Sequence, residues 1–294
     1  MLVHMSTTPT EPERVVILGA GGFVGAATTV LLQARQIPTL ALGRSQLDLL
    51  SDRAADNLRD LLHPTDSLVV ISAQAPCNNS AMLLDNIRMM VAVCNTLEQM
   101  SVAHVVYISS DAVYRDSKNL LDETSCAEPS SLHGAMHLSR EVMLKSIVSS
   151  SLAILRPTLI YGAADPHNGY GPNRFRRAAA AGQEITLFGD GEEQRDHVLI
   201  DDVAQIIYRV LRHRSHGTLN IATGEVHSFR NIAEWITKMS KTPVQVRGTE
   251  RLGAMPHGGY RAFDASATRV AFPDFRYTKL QEGLRKVQRI SGIR

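Results

Sequence analysis

Three cysteines in 294 residues, Cys77, Cys94 and Cys126, are too few and too far apart for a disulfide framework or a zinc knuckle. They read as reduced thiols. No apolar run is long enough to span a bilayer, and the opening "MLVHMSTTPTEPER" lacks the apolar core of a signal peptide, so a cytoplasmic protein is expected. Charge of neither sign is in excess: 31 Lys and Arg stand against 29 Asp and Glu, a formal net charge of +2 with the basic residues scattered. That leaves no basic face for nucleic acid or an anionic membrane. Internal repeats and low-complexity blocks are absent as well. What is present is an ordinary soluble composition, 44% hydrophobic and 20% charged, in a chain long enough for one large domain or two coupled ones.

Short apolar, β-branched runs alternate with helical patterns from Arg14 to Tyr161. "RVVILGA", "PTLALGR", "SLVVISA" and "AHVVYISS" read as buried strands, and "SLAILRPTLIYG" as another. Helical periodicity covers "GAATTVLLQARQ" and residues 80–100, where Leu83, Ile87, Met90, Val91, Cys94 and Leu97 share one face. A further helix begins at Ser130 or Ser131. The alternation implies an α/β protein, a Rossmann-type doubly wound parallel sheet with helices on both faces. Past Tyr161 the rhythm breaks at the glycine-, proline- and asparagine-rich "GAADPHNGYGPN". The expectation is a dinucleotide-binding domain over 14–162, to which 198–222 return, and a smaller mixed α/β substrate lobe over 163–294. Residues 1–13 read as a flexible polar tail.

"VVILGAGGFVGAA" sets Gly19, Gly22 and Gly25 between the first strand and the first helix, with the spacing G-x-x-G-x-x-G. Glycine permits the turn, a close approach of backbone to pyrophosphate, and tight packing of helix on strand. The helix start then offers free N–H groups and a partial positive charge to phosphates. Dinucleotide binding is the expectation, and a tight turn without a ligand the alternative. An NAD site would carry an acid at the end of the second strand, but this chain reads "LALGRS". Arg44 and Ser45, with no carboxylate to repel a 2′-phosphate, favour NADP, with NAD still possible. Asp48 is placed near the adenine.

In order along the chain, "GAGGFVG", "VVISA", Asn86 in the next helix, "YISSDAVY", "LRPTLIYG", "LFGDGEEQRDHVLIDDVA" and "LNIATGE" resemble the extended short-chain dehydrogenase/reductase family. These are the NAD(P)-dependent epimerases and dehydratases of nucleotide sugars, and the likeness covers nearly everything from Arg14 onward. It implies transient hydride transfer on a nucleotide sugar, and a homodimer through the helices at 80–100 and 130–149. Cofactor contacts are implied at Gly19, Gly22, Phe23, Val24 and Gly25, and later at Ala73 and Pro157. In the family a Ser or Thr orients the sugar hydroxyl, a Tyr takes its proton, and a Lys four residues on lowers the Tyr pKa while holding the nicotinamide ribose. Ser110 matches the Ser position. Asp111 stands where many dehydratases place an acid, or is a plain turn residue.

The Tyr-x-x-x-Lys helix is where this chain departs. In "PSSLHGAMHLSRE" His133 holds the Tyr slot and His137 the Lys slot, with Gly134 and Glu141 keeping the register. The literal Tyr-x-x-x-Lys of "YRDSK", Tyr114 and Lys118, is a decoy, because Tyr114 lies only four residues past Ser110 and a loop-like stretch follows. Three roles fit two imidazoles one helical turn apart. Metal binding is the weakest, since the zincin pattern needs Glu where Gly134 sits and no third ligand is near. As catalysts, neutral His133, with an ordinary pKa of about 6.5, accepts a hydroxyl proton, and His137, if protonated, supplies charge toward the nicotinamide ribose. In the third role both are chemically idle, on a face that is solvent or the wall of a ligand cleft, and the chain is an NADP(H)-binding regulatory or impaired Rossmann protein.

On the substrate side, Leu159 stands where the family commonly has an Asn that helps hold the diphosphate. "GYGPNRF" brings Asn173 and Arg174 to the place where relatives contact the nucleotide. Arg195 matches the family Arg that meets the diphosphate, unless it is paired only with Asp196 or Asp201. His167, Asn168 and Tyr170 are weaker loop candidates. The leading expectation is an NADP-dependent epimerase/dehydratase acting on a nucleotide sugar through Ser110, His133 and His137. A plain reductase of a small ketone would use the same hydride apparatus.

Overall fold

The structure is a computed structural model that describes residues 1–148 and 151–290. Position 149, the end of the helix expected over 130–149, lies outside the described residues. The first half of the chain forms β1 (Val15–Leu18), α1 (Phe23–Ala34), β2 (Thr39–Leu42), α2 (Ala54–Leu61), β3 (Ser67–Val70), α3 (Ser80–Gln99), β4 (His104–Ile108), α4 (Leu132–Ile147) and β5 (Leu152–Pro157). Next come β6 (Leu159–Tyr161), α5 (Pro172–Ala180), β7 (Ile185–Phe188), β8 (Gln194–Leu199), α6 (Ile200–Arg212) and β9 (Gly217–Ile221). The chain closes with β10 (Val226–Ser228), α7 (Phe229–Met239), β11 (Val246–Thr249), β12 (Tyr260–Arg261), α8 (Ser266–Ala271) and α9 (Leu280–Ile290).

Every residue of β1, β3, β4 and β5 is buried, which is why these strands read as continuous apolar runs with no alternation. They form a parallel six-stranded sheet in the order β2-β1-β3-β4-β5-β9. On one face Leu18, Val70, Tyr107 and Ile154 meet Leu58, Met90, Val93 and Leu144 of α2, α3 and α4. On the other, Ile17, Val69, Val106 and Leu155 meet Leu32 of α1 and Val203 and Ile207 of α6. The chain leaves β1 toward β2 on one side and resumes at β3 on the other. That switch opens a crevice at the carboxyl ends of the strands, the ordinary ligand position of such a sheet. The smaller lobe is built on β8, paired with β6, β10 and β12, over a core of Phe175, Leu187, Phe229, Ile232 and Leu284.

Four local readings change. "SLAILRPTLIYG" is two strands: β5 stays in the large sheet, while β6 crosses to pair with β8. The break falls at Thr158, after a proline that has no N–H to continue a ladder, and Thr158 Oγ1 turns to Asp196 Oδ1 at 3.0 Å. Residues 1–13 are not a loose tail. Val3 pairs with His216 through both backbone groups at 2.8 Å, and the His4 ring stacks on His213 at 4.2 Å. Besides α6 and β9, the segment around α8 also returns to the large sheet, where Ala267, Phe272 and Phe275 join its core. The short helix α2 carried no expectation. No helix among the described residues is long and apolar enough to cross a membrane.

Candidate active site

One cleft of about 720 Å³ runs along the carboxyl ends of β1 to β5 and under the smaller lobe. Its floor at one end is backbone. Gly22 caps α1 in extended conformation without a side-chain bond, leaving the first-turn N–H groups to whatever lies in the cleft. Gly19, Gly22, Phe23 and Val24 line it. Gly25 does not; a Cβ there would collide with the Gly19 carbonyl, so its part is to let α1 settle onto the end of β1. A Cβ on Gly22 would meet only Gly19 O, at 3.4 Å, so the volume of the missing side chain belongs to the cleft. This glycine cradle at a helix start fits the phosphates of a dinucleotide.

Beyond the end of β2, Arg44 and Asp48 line the cleft in a loose pair at 3.5 Å, with the Arg44 side chain 78% exposed and free to turn to a ligand. Ser45 is exposed and is not among the lining residues. Ala73 and Pro157 do line it. The segment after β3 is stapled by Asn86, whose Oδ1 accepts from Gln74 N–H at 2.9 Å while its Nδ2 donates to Gln74 O at 3.0 Å.

At the middle of the cleft stand Ser110, Asp111, His133 and His137. Ser131 caps α4 by accepting from Gly134 N–H at 3.1 Å. Gly134 is required by a close approach: a Cβ would run into the Ala112 carbonyl, so glycine alone lets the start of α4 rest on the 3-10 turn Asp111–Val113. That contact brings His133 to the same wall as Ser110. His133 Nδ1 accepts from Cys77 N–H at 3.4 Å, which places the ring hydrogen of the neutral imidazole on Nε2. His137 lies behind, edge-on to His133 with ring centres 4.7 Å apart, its Nδ1 2.7 Å from the fully buried Tyr107 hydroxyl.

Burial lowers the pKa of His133, with the charge of Asp111 opposing. Burial, then His133 and Arg140, push His137 well below the ordinary imidazole value. Both rings are therefore neutral near pH 7. The nearest buried cation on this helix, Arg140, is turned away and donates from Nη2 to Ser72 O at 2.7 Å. Glu141 is wholly occupied: it accepts from Ser109 Oγ at 2.6 Å and from Arg156 Nε at 2.8 Å, which ties α4 to β4 and β5.

Ser110 lines the cleft; its Oγ accepts from Ala112 N–H at 3.2 Å and donates to Asp111 Oδ1 at 3.4 Å. Asp111, in the 3-10 turn, lines the cleft and is paired. Arg261 Nε donates to its Oδ2 at 2.9 Å, and Arg195 stands at 4.0 Å. Tyr114 and Lys118 lie elsewhere: the Tyr114 hydroxyl is buried on Asn220 Oδ1 at 2.7 Å, and Lys118 is in solvent.

The far wall belongs to the smaller lobe. Arg195 lines the cleft, paired with Glu193 at 3.2 Å and close to Asp111; neither Asp196 nor Asp201 is its partner. Asp196 is held by Thr158, Thr223 and Gly224, and Asp201 pairs with Lys286 at 2.6 Å. Asn173 lines the cleft, but its Oδ1 is engaged by Gly162 N–H at 3.1 Å. Arg174 is a correction. It sits on the outer side of α5, exposed, in a separate pocket with Asn168 and Glu184, because Asn173 and Phe175 take the inward positions of that turn. Leu159, His167 and Tyr170 line the cleft and Asn168 does not.

Three lining or supporting residues carried no expectation. His257, in left-handed conformation with φ 54°, reaches the cleft with Nδ1 2.5 Å from Asp116 Oδ1. Arg261 ties Asp111 and Asp116 together. Nothing local in sequence marks either one. His197, two positions after Arg195 on β8, was findable, since alternate residues of a strand share a face.

The sequence profile of the NAD dependent epimerase/dehydratase family matches residues 15–222, the stretch that carries the glycine loop, Ser110, α4 and Arg195. The chain belongs to that family. Family relatives include a dTDP-4-dehydro-6-deoxy-D-allose reductase of Streptomyces bikiniensis, 26% identical, with 79% of this chain and 83% of the relative covered. Among solved structures, a GDP-L-fucose synthetase from Naegleria fowleri bound to NADP superposes with a TM-score of 0.83 at 16% identity, covering 97% of this chain and 95% of that one. A UDP-glucose 4-epimerase from Thermotoga maritima with UDP-glucose gives 0.82 at 18% identity, covering 93% and 97%. At those identities the likeness is one of fold.

Proposed function

We propose that this member of the epimerase/dehydratase family is an NADP-preferring oxidoreductase acting on a nucleotide sugar, with Ser110 and His133 at the reacting centre. The observation that carries this reading is the single cleft that joins the glycine loop to Ser110 and His133 and ends at Arg195. The cofactor, when bound, supplies or accepts a hydride. Reduction of a carbonyl is the direction that the hydrogen bonding of His133 supports, and a relative is named for reducing a dTDP-linked dehydro sugar. In that direction Ser110 Oγ and His133 Nε2 donate hydrogen bonds to the carbonyl oxygen, and the alkoxide left as the carbonyl is reduced takes its proton from solvent. His137 sets the tilt of the His133 ring from behind and brings no charge. Arg195 holds the diphosphate through its fork of donors. The outer faces of α3 and α4 expose Leu84, Val91 and Val142, which supports a homodimer through those helices.

The test follows NADPH absorbance with a panel of dTDP-, UDP- and GDP-linked keto sugars. His133→Phe is expected to lose turnover by about 100-fold or more while its NADPH affinity stays within about twofold. Unchanged turnover in that variant refutes the role of His133.

A second reading has an observation of its own. With a neutral His137 in the Lys slot and Arg140 tied to a carbonyl, the chain would hold NADP(H) as a binding or regulatory protein. Nucleotide retained on the purified protein, together with a silent substrate panel, decides for it.

A further inference from the structure

β8 presents alternate residues to the cleft. Arg195 and His197 face it, while Asp196 points the other way into its cage of Thr158, Thr223 and Gly224. Of the pair, His197 is the one that nothing in the fold explains. The residue is 3% exposed, and its Nδ1 lies 3.2 Å from Arg195 O. A carbonyl only accepts, so Nδ1 carries the hydrogen and Nε2 is left with a bare lone pair. Among the described residues Nε2 has no hydrogen-bond partner. A buried acceptor in apolar surroundings, here against the Phe229 ring at 5.7 Å, is costly to leave unpaired. Burial, with Arg195 adding to it, pushes the ring's pKa down to about 3, so it stays an acceptor across the physiological range.

The loop residue beside this lone pair carries no side chain. Gly171 lies beside it at φ 115°, a conformation that excludes other residues, and a Cβ there would stand 3.5 Å from Nε2 and 2.9 Å from Phe229. Alternate strand positions are about 6.6 Å apart, so Arg195 and His197 together offer a cation and, one side-chain spacing along, a fixed neutral acceptor.

We infer that His197 Nε2 is a substrate-binding acceptor that selects an O–H or N–H donor adjoining the anionic group held by Arg195. This rests on the nucleotide-sugar reading above. It adds that the ligand must offer a donor at that point, from the imide N–H of a pyrimidine base or from a hydroxyl of the sugar.

The experiment compares the wild type, His197→Phe and His197→Gln by calorimetric titration with dTDP, N3-methyl-dTDP and dTDP-glucose. NADPH affinity serves as the check that each variant is folded. His197→Phe is expected to weaken binding about tenfold, and His197→Gln, which keeps an acceptor, to retain most of it. A loss already seen with dTDP and mimicked by N3-methylation assigns the donor to the base; a loss confined to dTDP-glucose assigns it to the sugar. Equal affinity of wild type and His197→Phe for every ligand overturns the inference. So does an equal loss in both variants, because packing and not an acceptor would then set affinity. A wild type that binds NADPH but none of these nucleotides overturns the nucleotide-sugar reading itself, and this inference with it.

Discussion

The two ends of the cleft are made of different material. At the cofactor end the surface is backbone: glycines, a helix start and strand ends, with Arg44 lying out in solvent. At the other end it is side chains drawn from four distant stretches, Asp111, His133, Arg195 and His257, backed by the buried Arg261. Backbone recognition tolerates few changes of shape but needs no charge balance. The side-chain end is the reverse, since each charge it buries must find a partner.

This contrast can be broken or sharpened by variants at each end. The largest effect is expected for Gly25→Val, which drives a side chain into the Gly19 carbonyl: NADPH binding, followed by fluorescence titration, should be lost. Next comes Arg261→Ala. It leaves Asp111 buried with only Arg195 near, and is expected to cost about 3–5 kcal/mol in urea unfolding while NADPH affinity changes little. Should Arg261→Ala weaken NADPH as much as Gly25→Val does, the two ends are one unit and the contrast fails.

The third effect is a pH dependence. Burial holds His104 down to about 4 and His197 down to about 3, so the unfolded chain binds protons near pH 6.5 that the folded chain refuses. Stability is therefore full above that pH and is lost as pH falls, by about 2 kcal/mol for each of these histidines between pH 7 and pH 5. Urea midpoints across that range measure it, and His197→Phe should remove its own share of the slope. The smallest effect is expected for Arg44→Ala: about tenfold weaker NADP binding with NAD unchanged, since the guanidinium has only a loose pair to leave. Equal loss for both cofactors would show that Arg44 does not read the 2′-phosphate.

Legibility in the sequence followed the same division. The apolar runs of β1, β3 and β4 announced buried parallel strands because both of their faces are covered. The glycine loop announced its turn because the chemistry is local. The start of α4 also needed only neighbours in sequence, and Ser131 caps the helix at one of the two starts expected. What failed had non-local causes. Residues 1–13 look polar and loose until Val3 meets His216, more than two hundred positions away. Arg174 and Asn173 are adjacent in sequence and point to opposite sides of α5. The partner of Asp111, Arg261, lies 150 residues downstream with no motif around it.

By itself the sequence determined the alternating α/β order, the glycine turn between β1 and α1 and the two histidines one turn apart on α4, because each is written in periodicity or in residues a few positions apart. Only the tertiary structure decided that the two imidazoles are neutral and wall a cleft, that Asp111 is paired, and that His197 holds an unpartnered lone pair. Burial and charge pairing are properties of what surrounds a group, and here those surroundings arrive from remote parts of the chain.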